Sequence, residues 1–122
     1  MDPSLDRYDI EVELTLLPAE DGGRRFPIYP GCRAAHICLD DEDWIAAYEP
    51  KDRRELHPGE TGRVLVVLFF EPQYLVGRLR VGREFLLIEG AKTIGSGRIT
   101  AMLTFDVHVG EYLQRKARRD TK

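Results

Sequence analysis

Tyr8-Asp9-Ile10-Glu11-Val12-Glu13-Leu14-Thr15-Leu16-Leu17 places Ile10, Val12, Leu14 and Leu16 at every second position, with Asp9, Glu11, Glu13 and Thr15 between them. Side chains alternate across a strand with a period of two, so this stretch predicts a strand with one face buried and one in water. Downstream, Pro18-Ala19-Glu20-Asp21-Gly22-Gly23 breaks the pattern and supplies glycines that can take positive φ. A second extended stretch is expected over residues 31–40. The acidic run Asp40-Asp41-Glu42-Asp43 reads as a solvated turn, and Trp44-Ile45-Ala46-Ala47-Tyr48 as a short strand ending at Pro50. Lys51 to Glu55 is a charged loop.

The remaining half repeats the theme. His57-Pro58-Gly59-Glu60 is a turn, and Arg63-Val64-Leu65-Val66-Val67-Leu68-Phe69-Phe70 predicts a buried strand that stops at Pro72, because proline cannot donate to a ladder. Glu84 to Glu89 forms another strand, Gly90-Ala91 turns, and residues 93–104 return through Gly95-Ser96-Gly97. Two glycines inside a strand pattern indicate a bulge or the close approach of another backbone. Strands at this spacing, with no long 3.6-residue periodicity before residue 110, predict an all-β barrel or sandwich. Gly110 to Lys122 carries Arg115, Lys116, Arg118, Arg119 and Lys122. It reads as a solvated basic terminus or short surface helix, with RNA or an acidic partner as the other use of its charge.

A chain of 122 residues suits one domain, since a single core typically serves about 100–150 residues. Hydrophobic residues at 43% and charged residues at 32% exclude collagen-like and wholly disordered chains. No apolar run approaches the roughly 18–20 residues of a membrane span, and Met1-Asp2-Pro3-Ser4-Leu5-Asp6 is unlike a signal peptide, so a cytoplasmic protein is expected. Two cysteines are too few for a disulfide framework. The net charge of −3 hides a polarity, with 7 basic and 15 acidic side chains in residues 1–60 against 11 and 6 in residues 61–122.

Several clusters invite chemical readings that their spacing does not support. Along a strand of about 3.3 Å per residue, Cys32 and His36 lie roughly 13 Å apart, whereas metal ligands converge within about 2 Å of one ion. Asp40 to Asp43 lacks the spaced ligands and central glycine of a calcium loop. His57 and His108 have no matching nucleophile, and Gly95-Ser96-Gly97 is not a nucleophile elbow. No enzyme and no cofactor are expected.

Three ordered segments carry a resemblance. They are Asp21-Gly22-Gly23-Arg24-Arg25-Phe26-Pro27-Ile28-Tyr29-Pro30-Gly31-Cys32-Arg33, then Leu56-His57-Pro58-Gly59-Glu60, then the hairpin Phe85-Leu86-Leu87-Ile88-Glu89-Gly90-Ala91-Lys92-Thr93-Ile94-Gly95-Ser96-Gly97-Arg98-Ile99-Thr100. Together they resemble the third, C-terminal domain of elongation factor Tu. The resemblance implies a single closed six-stranded antiparallel Greek-key β-barrel over residues 8–106, with an extension at 1–7 and a basic tail at 107–122. The chain has no phosphate-binding Gly-x4-Gly-Lys-Ser/Thr loop, so no nucleotide is expected. In that family the domain packs on its nucleotide domain, binds the exchange factor and touches the tRNA T-stem. The tRNA contacts match here at Arg24, Glu89 and Gly90, while Ala34-Ala35, Trp44 and Glu71 depart from the family pattern.

The expected function is therefore a non-catalytic, translation-linked module that binds a protein partner through Arg24, Arg25, Phe26, Tyr29 and Arg33. Arginine and aromatic residues are the types enriched at interface hot spots. The alternative expectation is an RNA- or tRNA-binding accessory protein using Arg24, Glu89, Gly90 and the tail residues Arg115, Lys116, Arg118 and Arg119.

Overall fold

Among the described residues six strands, one α-helix and a short 3-10 turn (Ala19–Asp21) form: β1 (Ile10–Leu16), β2 (His36–Leu39), β3 (Glu42–Pro50), β4 (Thr61–Leu68), β5 (Glu84–Glu89), β6 (Lys92–Met102) and α1 (Phe105–Asp120). The computed structural model describes residues 7–69, 74–75 and 77–120. Every strand pair is antiparallel, and the order β1-β4-β3-β2-β5-β6 closes on itself. β2, β3 and β4 form a meander and β1 lies beside β4, which is a Greek key. Closure leaves no unpaired barrel edge among the described residues to template aggregation. The expected six-stranded antiparallel barrel is thus the fold.

The alternation read in β1 decides what faces inward: Ile10, Val12, Leu14 and Leu16 are all buried, and they meet Ala46, Tyr48, Val64, Val66, Phe85 and Leu87 in one core. Burying each larger apolar side chain contributes about 1.5–3 kcal/mol. Tyr48 fits because its Oη donates to the Ala35 carbonyl at 3.0 Å, and burial raises its phenol above the usual range. The strand directions alternate round the barrel. β1, β3 and β5 therefore end at one rim, called the upper rim below, and β2, β4 and β6 end at the lower rim.

Several boundaries differ from the sequence reading. The second strand covers only His36–Leu39, because Cys32 pairs with Tyr48 while His36 pairs with Ile45, so four steps on one side face three on the other. The extra residue is a bulge that bends the chain out of the ladder. Glu42 and Asp43 belong to β3, which leaves Asp40-Asp41 as a two-residue turn with φ of 52° and 64°. Gly95 and Gly97 are indeed a close-approach site. A Cβ at Gly95 would lie 2.5 Å from the Thr15 carbonyl oxygen, and one at Gly97 would lie 2.3 Å from Phe85 Cζ. The register also shifts between Leu87 and Ile88, the bulge these glycines predicted. Finally, residues 107–120 of the basic tail belong to a 16-residue helix that starts at Phe105.

Candidate partner-binding face

The crossover from β1 to β2 runs over the upper rim and holds most of the residues nominated from sequence. Arg24 is turned inward, its side chain only 7% exposed, and makes an ion pair through Nη1 with Glu89 at the end of β5. Its Nε donates to the Phe26 carbonyl at 2.6 Å and its Nη2 to the Pro27 carbonyl at 3.2 Å. A guanidinium presents several donors in one plane, so a single side chain ties three points together. Ile28 then pairs with Leu56, fixing this crossover to the β3–β4 connection.

Beyond Ile28 the chain makes a tight turn, Tyr29-Pro30-Gly31-Cys32, closed by Cys32 N–H donating to Tyr29 O at 3.0 Å. Gly31 has φ of +83°, which a residue with a Cβ adopts only at a cost, and Pro30 presets the preceding φ. The clamp and the turn together leave Phe26 70% exposed and Tyr29 48% exposed, with Arg25 and Arg33 also at the surface.

Arg33 links this loop to a second set of exposed side chains. Its guanidinium lies 4.5 Å from the centroid of the Phe69 ring. Cys32 bridges to β3 from one side, and Phe69 follows the β4 residue paired with Ala46 on the other, so the contact spans the outer face of β3. Ile45 is exposed on that face and its carbonyl accepts from Phe69 N–H at 3.2 Å. Toward the lower rim, the Arg78 guanidinium lies over Trp44 at 5.3 Å, and Trp44 packs obliquely against Tyr74. Arg78 is also held by Asp40, Glu42 and the Leu39 carbonyl.

The nominated residues therefore divide. Arg25, Phe26, Tyr29 and Arg33 stand at the surface, whereas Arg24 and Glu89 are spent on each other. Gly90 sits in the β5–β6 turn at the upper rim with φ of 63°. Arg115, Lys116 and Arg118 are exposed on α1, which leaves β6 at the opposite, lower rim. Strands of this length separate the rims by on the order of 20 Å, and α1 departs from the rim opposite Arg24, Glu89 and Gly90. Glu71 and the side chain of Arg119 lie outside the described residues. Sequence reasoning missed Ile45, Phe69, Tyr74 and Arg78. The signal for Phe69 was present: counting outward from the barrel core along β4 puts residues 65, 67 and 69 on its outer face, where Leu65 is covered and Phe69 is exposed.

Both cysteines are free, and burial together with the carboxylates of Asp43 and Asp41 pushes the Cys38 thiol up, away from a reactive thiolate. Among the described residues no group of three or more histidine, cysteine or acidic side chains converges as a metal site, and no helix is long and apolar enough to cross a membrane. Comparison of the chain with known protein families and with curated proteins returned no match.

Proposed function

We propose that this chain is a non-catalytic binding module of the elongation factor Tu third-domain type, engaging a cytoplasmic, translation-linked protein through Arg25, Phe26, Tyr29, Arg33 and the adjoining Ile45 and Phe69. The observation that carries the reading is the Arg33–Phe69 contact, which joins the crossover loop to the outer face of β3 as one exposed aromatic and arginine surface. Those residue types dominate interface hot spots, and surfaces held in place before binding lose less entropy on association. The three ordered motifs support the family part of the reading, and two free thiols suit a reducing compartment. RNA binding through Arg24, Glu89 and Gly90 is less well supported, because the only cation of that set is already paired.

The test is affinity capture from host lysate with the wild-type chain beside an Arg33→Ala, Phe69→Ala double variant, at low and high salt. A stoichiometric protein that persists at high salt and is lost from the variant supports the proposal. Recovery of tRNA or ribosomal RNA alone, released by salt, would overturn it, since phosphate contacts weaken steeply as counterions are added.

A further inference from the structure

One row of side chains runs level across the outside of the barrel, from β5 over β2 and β3 to the residue that follows β4. Ile88 is in register with His36, His36 with Ile45, and the Phe69 N–H donates to the Ile45 carbonyl. Leu87, Ile37 and Ala46 beside them belong to the core and Leu68 packs against it, so alternation along each strand turns the row outward. Ile45 and Phe69 are 51% and 43% exposed, with Ile88 and His36 half-buried. Apolar side chains gathered in this way on one face mark an interaction surface.

Opposite charges flank the row. Two residues from Ile45 toward the lower rim, about 7 Å along β3, stands Asp43, in register with Cys38 and accepting a hydrogen bond from its thiol. Toward the upper rim Arg33 follows Cys32, the residue bridged to Tyr48, and so stands level with Ala47, two residues from Ile45 in the other direction. Among the described residues neither Arg33 nor Asp43 makes an ion pair. The face is therefore antisymmetric about its apolar row, with a free cation on one side and a free anion at a matching distance on the other.

We propose that the occupant of this face is a second copy of this chain, packed sheet on sheet with the two β3 strands antiparallel. A two-fold axis lying along the row packs the row on itself, Ile45 on Ile45 and Phe69 on Phe69, and brings Arg33 of each copy to Asp43 of the other. A two-fold axis along the strands would instead set Asp43 against Asp43, so charge selects the first arrangement. The contact uses the same patch on both copies and closes at two. Arg33, Ile45 and Phe69 also belong to the face proposed above for a protein partner. On that reading the pair occludes the partner face, and a partner must separate the copies before it binds.

The two His36 side chains meet at the axis. Each is surrounded by Ile45 and Asp43 from β3, Ile88 and Leu86 from β5, Cys38 on its own strand and Arg33 on the crossover. In the pair Asp43 is engaged by Arg33 of the other copy, so protonated imidazoles would face one another in an apolar contact. Pairing should therefore weaken as pH falls from about 7.5 to 5.5, the range in which imidazole ordinarily gains its proton.

Sedimentation velocity of the full chain over a concentration series reaching about 1 mM tests the inference. A dimer is expected at pH 7.5, and Arg33→Glu and, separately, Asp43→Arg should each raise its dissociation constant at least about tenfold, because each reversal sets like charges together twice in the pair. An equimolar mixture of the two variants should pair again, since Glu at position 33 then meets Arg at position 43 and the wild-type contact forms at the other end. Ile45→Lys should leave a monomer, Phe26→Ala on the upper-rim loop should leave pairing intact, and His36→Leu should remove the weakening at low pH, with circular dichroism confirming the fold of every variant. A wild type that stays monomeric throughout overturns the inference, including one that forms a complex only with a captured protein. So does a dimer that Ile45→Lys or both charge reversals leave unchanged, a mixture that fails to pair, or a dimer lost with Phe26→Ala. A monomeric wild type that still captures its protein leaves the proposed partner binding standing, whereas a dimer that behaves as described and captures no protein overturns that reading and leaves the pair.

Discussion

Replacing Arg24 by methionine separates a structural role from a contact role. The change keeps most of the apolar stem and deletes the guanidinium that bonds the Phe26 carbonyl, the Pro27 carbonyl and Glu89. Hydrogen bonds to charged groups contribute about 1.5–3 kcal/mol each, but Glu89 is 36% exposed and regains water once Arg24 is gone. The net loss is therefore about 2–4 kcal/mol, below the simple sum and a large share of the 5–15 kcal/mol typical of a domain. At about 4 °C per kcal/mol for a domain of this size, the midpoint falls by roughly 8–16 °C. Glu89→Gln keeps an acceptor for Arg24 and should cost about 1 kcal/mol, while Arg25→Met at an exposed site stays within about 0.5 kcal/mol of the wild type. Urea titration followed by the fluorescence of Trp44, the only tryptophan and one packed on the core, reports each value. Hydrogen exchange should also quicken at the Ile28 amide, which donates to Leu56 O at 2.8 Å just beyond the clamp. If Arg24→Met costs no more than Arg25→Met, Arg24 is not a clamp and belongs again among the partner contacts.

Three further outcomes follow from the same geometry. Gly97→Ala should destabilise by about 1–3 kcal/mol through overpacking against Phe85, and Phe85→Leu in the same chain should recover part of it, which a double-mutant cycle in urea measures. Burial pushes the Glu11 carboxyl up, but hydrogen bonds from Lys51 and Thr100, with the charges of Lys51 and Arg63, outweigh it and hold the group below the ordinary 4.5. Its contribution is therefore present above that ordinary value and lost as pH falls through the lower folded one, so Glu11→Gln should flatten the acid limb of a stability-against-pH curve. Asp41 occupies the second central position of its two-residue turn with φ of 64°, where glycine is unstrained, so Asp41→Gly should raise the denaturation midpoint by about 0.5 kcal/mol in equivalent stability.

The fold was legible where a pattern has one physical cause. Alternation in residues 10–16 can only bury one face of a strand, and the glycines at 95 and 97 announced a close approach because a missing side chain in a strand must make room for something. The second strand was misjudged for a related reason. Its residues have ordinary strand character, but the bulge between Cys32 and His36 depends on pairing with β3, a partner that local sequence does not name. The helix was half missed because Val107, His108, Val109 and Gly110 are weak helix formers, so propensity hid the turns between the barrel and the basic cluster.

The site was less legible because residue type says nothing about direction. Arg24 and Arg25 are adjacent and chemically identical, yet one is a buried clamp and the other a surface cation. What separates them is a carboxylate 65 residues away in sequence, at the end of β5. That pairing bears on how the barrel can be used. An arginine resembling an RNA contact is neutralised within the chain, and the same bonds hold Phe26 out in solvent. Exposing a phenylalanine to water has no value for stability by itself, because its burial elsewhere would be favourable. On the proposed function, the partly buried ion pair that maintains that exposure serves to present the side chain to a partner. The comparison of Arg24→Met with Arg25→Met therefore also weighs the proposed function, through the rigidity of the loop that displays Phe26.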